Sequence, residues 1–89
     1  MAAARATRMR VFEYQVCNAQ QGRVTFVNGV WQGSAPPSEA AGGDDPFKFC
    51  VQVWDYLRTA GADGWELVAA VAHEQPDAVY DVLYLKREI

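Results

Sequence analysis

The one histidine of the chain, His73, is followed directly by Glu74 and soon after by Asp77. An imidazole beside carboxylates is the material of a general base or a metal site, because both groups ligate divalent cations and shuttle protons. Zinc usually takes three or four protein ligands. The remaining candidates, Cys17 and Cys50, stand far apart in the chain with no histidine beside either, a spacing that matches neither a zinc knuckle nor a redox Cys-x-x-Cys pair. Buried thiols are the expectation for both. Asp44-Asp45 offers oxygens to a hard cation but lacks the regular oxygen spacing of a calcium loop, and it reads instead as a helix cap ahead of Pro46. Gly42-Gly43 lacks the Lys-Ser/Thr partner of a phosphate loop. No catalytic residue, no metal and no cofactor is therefore expected. What remains for chemistry is a loose set, Tyr14, His73, Glu74 and Tyr84, which would have to converge to form a small-ligand pocket.

The chain that must position these groups has 89 residues, 51% of them hydrophobic and 12% aromatic, with a net charge of -3. One compact domain fits that length. A pI near 4.9 argues against a binder that works by neutralising phosphates. Arg5, Arg8 and Arg10 could funnel a nucleic-acid strand, yet residues 39–81 hold nine acids against two bases. No nucleic acid is expected as a partner. Apolar stretches fall far short of the roughly 20 residues that span a bilayer, so no membrane contact and a cytoplasmic location are expected.

Residues 1–8 carry no patterned apolar surface and read as a disordered tail, and 9–89 as a single α+β domain. Val11 to Cys17 alternates, with Phe12, Tyr14 and Val16 on one face and Glu13 and Gln15 on the other, as in a half-buried strand. Arg23 to Val27 follows, and Asn28-Gly29 is a strong hairpin signal that would pair Phe26 with Trp31 on the face of Val24. Residues 33–45, rich in Pro, Gly, Ser and Ala, read as a mobile loop. Phe47 to Ala60 alternates in part like a strand, but its length favours a helix closed by Gly61. Trp65 to Glu74 and Val79 to Arg87 form a further hairpin around Pro76-Asp77. The first of these two strands is apolar on both faces, which suits a central strand. The fold class expected is α+β: a small antiparallel sheet in the order strand, hairpin, helix, strand, strand, with one helix on one face.

Gly61-Ala62-Asp63-Gly64-Trp65-Glu66-Leu67-Val68, followed by Tyr84-Leu85-Lys86-Arg87, resembles a family of short bacterial domains of unknown function. Its members open on a Tyr-rich strand like Phe12-Glu13-Tyr14-Gln15-Val16, pass through one helix into a Gly-Trp-Glu-Leu strand, and close on a Leu-Lys-Arg strand. The chain departs from that pattern in the insertion from Arg23 to Asp45. The resemblance implies a fold and brings no established activity or catalytic residue.

On a helical projection of residues 47–60 the apolar arc covers about 220°, more than one sheet face needs. Phe47, Cys50, Val51, Trp54 and Leu57 are assigned to the sheet, with Trp54 and Trp65 as core anchors. This leaves Phe49, Val53 and Tyr56 as an uncovered stripe. The function expected is accordingly a non-catalytic module that self-assembles, as a homodimer or higher oligomer, through that stripe, with another protein as a further partner. The alternative is a small-ligand binder or minor enzyme whose pocket, using Tyr14, His73, Glu74 or Tyr84, lies between subunits.

Overall fold

The computed structural model of the protein describes residues 9–34 and 46–89; the expected tail at 1–8 and loop positions 35–45, with the Asp44-Asp45 cap, lie outside the described residues. Five strands form one antiparallel sheet: β1 (Phe12–Gln20), β2 (Arg23–Val27), β3 (Val30–Trp31), β4 (Glu66–Gln75) and β5 (Ala78–Glu88). Among the described residues, a 3-10 turn (Pro46–Phe49) and an α-helix, α1 (Val53–Ala62), stand between β3 and β4. The spatial order is β3-β2-β1-β5-β4. This is the expected α+β class, with a helix on one face of the sheet.

Local chemistry accounts for the hairpins. Asn28 and Gly29 both take positive φ, 49° and 82°, as a type I′ turn requires, so Val27 meets Val30 and Phe26 meets Trp31. The Phe26 and Trp31 rings lie 5.4 Å apart, edge to face. Gln21 and Gly22 repeat the same geometry, with φ of 54° and 73°, and join β1 to β2. A bulge then breaks the alternation of β2: Ala19 faces Val24 while Asn18 faces Phe26, which leaves Thr25 as the extra residue. Val24 is consequently in the core and Phe26 is not on its face, contrary to expectation. Thr25 is fully buried, and its hydroxyl bonds to the Asn18 carbonyl and the Gln20 side chain.

The core lies between α1 and the sheet. Cys17, Ala19, Val24, Ala60, Leu83 and Leu85 form the buried cluster, with Val27, Val53, Tyr56, Leu57 and Trp65 packed against it. Here the helix assignment needs two corrections. The α-helix begins at Val53 rather than Phe47, because the β2 edge claims the segment before it: Val24 N–H donates to the Val51 carbonyl and Val53 N–H to the Gly22 carbonyl. The inward face also differs, although Leu57 is inside as expected. Val53 and Tyr56 turn inward with Leu57 and Ala60, whereas Trp54 is 61% exposed beneath the Arg58 guanidinium.

Gly61 lies within the helix, and the stop comes later. Trp65 N–H reaches back to the Ala60 carbonyl and Gly64 N–H to the Gly61 carbonyl, the paired bonds of a Schellman motif, with Gly64 at φ 93°. The motif delivers Trp65 onto the core as the chain enters β4. Arg87 then ties three elements together: its guanidinium lies 4.4 Å over the Trp65 ring and binds Glu13 of β1 at 3.0 Å and Asp63 at 2.9 Å.

Candidate functional site

Among the described residues, only one face of the sheet has a helix. On β1 the buried positions are Gln15, Cys17 and Ala19, so the side that carries a glutamine faces α1, and the aromatic side faces away. Tyr14 is 64% exposed. The register places Val16 opposite Tyr84 and Tyr14 opposite Lys86, and on the other side of β5 it places Ala69 opposite Tyr84, Val71 opposite Val82 and His73 opposite Tyr80. Side chains directly opposite one another share a face. Tyr14, Val16, Tyr84, Val82, Ala69, Val71, Tyr80 and His73 therefore line one largely apolar and aromatic face away from the helix, together with Lys86 and Asn18.

Three of the residues expected to form a ligand pocket, Tyr14, His73 and Tyr84, are on this face, but they are spread along it. Tyr84 is four residues from Tyr80, which is about 13 Å of strand, and His73 is stacked flat on Tyr80 at 5.0 Å. Glu74 follows His73 and points to the opposite face. The four do not converge on one point. Among the described residues no group of three or more His, Cys, Asp or Glu side chains is placed to hold a metal ion, and no helix is long and apolar enough to cross a membrane.

The strand expected to be central is at the edge. β5 pairs with both β1 and β4, so among the described residues β4 ends the sheet. Nine of its ten residues are exposed, including Leu67, Val68 and Val71. A bulge between Leu67 and Ala69 leaves Val68 as its extra residue. Of the three residues expected at an interface, Val53 and Tyr56 contact this chain's own core. Phe49 is half-buried in the 3-10 turn, with the Lys48 ammonium 5.4 Å from its ring.

Beneath α1 lies a polar contact that patterning did not single out. The Gln15 side-chain oxygen accepts the Tyr56 hydroxyl and the Cys17 thiol at 3.6 Å. Gln15 is buried, and hydrogen bonding is what makes such burial tolerable. Burial pushes the Tyr56 phenol up to about 12 and also raises the Cys17 thiol. In both groups folding favours the neutral form, so the stability they contribute is complete below the unfolded pKa values, about 8.5 for cysteine and 10 for tyrosine. It is lost as pH rises through the folded values. The melting temperature should therefore fall progressively in alkali, and Tyr56→Phe should flatten the decline between about pH 10 and 12. Thermal melts of both proteins across that range check this, and parallel curves would contradict it.

Comparison of the chain with family models, with curated proteins and with solved structures gives no match.

Proposed function

We propose that this chain is a non-catalytic module that associates with a second copy of itself along β4. The observation that carries the reading is β4 itself, a ten-residue edge strand whose outer row of N–H and C=O groups has no strand beside it among the described residues. Proteins usually blunt such an edge with lysine, proline or a short strand. The segment ELVAAVAHEQ contains neither residue and is twice the length of β2. Its bulge at Val68 interrupts the edge near one end only.

A second copy is the occupant argued for because an edge laid antiparallel on itself about a two-fold axis satisfies both rows of donors and acceptors at once. The same operation would join two helix-free faces into one broader surface. The pocket alternative has less support, since Tyr14, His73, Glu74 and Tyr84 do not converge.

Light scattering on the full chain should give a mass that is a multiple of 9.9 kDa. Val71→Lys should shift it to the monomer without changing the circular dichroism spectrum, because the residue is exposed in the single chain and surface changes cost within about 0.5 kcal/mol. A wild-type protein that stays monomeric at tens of micromolar overturns the reading, as does an oligomer indifferent to Val71→Lys.

A further inference from the structure

A cleft of about 430 Å³ opens where the end of α1 meets the start of β4. It is lined by buried Gln15, by Tyr56, Thr59, Ala60 and Ala62 of α1, by exposed Asp63 and by half-buried Trp65. Its size is in the range of small-molecule sites, about 300 to 1,000 Å³.

The lining has an unspent donor. Gln15 is only 6% exposed, yet both of its side-chain hydrogen bonds, from Tyr56 and Cys17, end on the amide oxygen. Among the described residues its NH2 group has no acceptor. No fully enclosed side-chain nitrogen or oxygen among the described residues lacks a partner. The Gln15 nitrogen is therefore not sealed in the core, and the cleft that Gln15 lines is where it can reach an acceptor. With its oxygen held by both the Tyr56 hydroxyl and the Cys17 thiol, the amide turns its NH2 group away from them.

The electrostatics limit what can bind. Glu13 and Asp63 share the single guanidinium of Arg87, which leaves an excess of negative charge at the rim. The nearby end of α1 also presents the negative pole of the helix dipole. An anion is disfavoured there, and the walls of Ala60, Ala62 and the Trp65 indole suit a flat apolar body.

We propose that this cleft binds a small uncharged ring compound bearing a carbonyl oxygen, which accepts a hydrogen bond from the Gln15 amide while the ring lies between Trp65 and the α1 alanines. The site is contained within one chain and does not depend on self-association.

Benzamide is the probe, with benzoate as its anionic counterpart and toluene as its counterpart without an acceptor. In 1H–15N spectra of the full chain, benzamide should shift the Gln15 side-chain NH2 and Trp65 indole resonances saturably. Its dissociation constant should be at least about tenfold below that of either counterpart, the difference expected of one well-made hydrogen bond in a shielded site. Gln15→Met should weaken benzamide binding by a similar factor. Ala62→Trp, at an exposed position on the wall, should abolish binding with the rest of the spectrum intact, and it decides the matter if Gln15→Met does not fold. Val71→Lys should bind benzamide as wild type does, whatever its mass. Benzoate or toluene binding as tightly as benzamide, shifts scattered away from the cleft, or unaltered binding by Ala62→Trp would each overturn the proposal.

Discussion

Leu85→Ala should lower the unfolding free energy by about 2 to 5 kcal/mol, the range for truncating a fully buried leucine where the surroundings relax only in part. Leu85 is 1% exposed and sits on β5, paired with Gln15 of β1 and Leu67 of β4. It packs in the cluster that joins Cys17, Val24, Leu83 and Ala60 of α1. The side chain thus joins the helix to the middle of the sheet, and little else can move in to fill its space. A domain of this size has only about 5 to 15 kcal/mol of stability in all, so the variant should melt many degrees lower. Urea titration against Val79→Ala, at the exposed far end of the same strand, isolates the effect, since the control should stay within about 0.5 kcal/mol. A Leu85→Ala loss no larger than the control's would mean that the helix does not rest on β5.

Turn chemistry was the most legible part of the fold. Asn28-Gly29 and Pro76-Asp77 mark both of the hairpins expected, because few residue types accept the backbone angles of a tight turn. Gln21-Gly22 was not singled out, although the positive φ at Gly22 depends on the same glycine property. The faces were less legible. Period-2 alternation on β1 separates Phe12, Tyr14 and Val16 from Glu13, Gln15 and Cys17, but it does not say which set meets the helix when only one face is covered. Hydrophobicity points to the first set, and the structure buries Gln15 and Cys17 of the second, where Tyr56 supplies the partner that Gln15 needs. β4 raised the same difficulty. Apolar residues on both sides describe a strand buried in the centre of a sheet equally well as one left at its edge, and strand order depends on pairings that local pattern does not encode. The cleft was beyond reach, since its lining residues come from β1, α1 and the turn after it, brought together by the Schellman stop at Gly64.

Ala60→Glu should unfold the protein or leave it with a small fraction of its stability, while Trp54→Glu should be nearly silent. Ala60 is 7% exposed and is the one residue of α1 that is fully part of the buried cluster. A carboxylate there would have to press on Cys17, Val24, Leu83 and Leu85 or crowd the cleft, next to a rim whose acids Glu13 and Asp63 already share Arg87. An unpaired buried charge costs several kcal/mol, or else protonates and leaves a polar group too large for its space. The backbone makes escape harder, because the Ala60 carbonyl accepts Trp65 N–H, and a shift of the helix to expose the new side chain would undo the turn into β4. Trp54, in contrast, faces water. Its replacement removes the contact with Arg58, worth about 0.5 to 1 kcal/mol at an exposed site, and adds an acid to the first turn of α1, where the helix dipole favours one. Circular dichroism melts of the two variants read the difference directly. A folded Ala60→Glu beside an unfolded Trp54→Glu would place the other face of the helix on the sheet, and with it would return Val53 and Tyr56 to the surface.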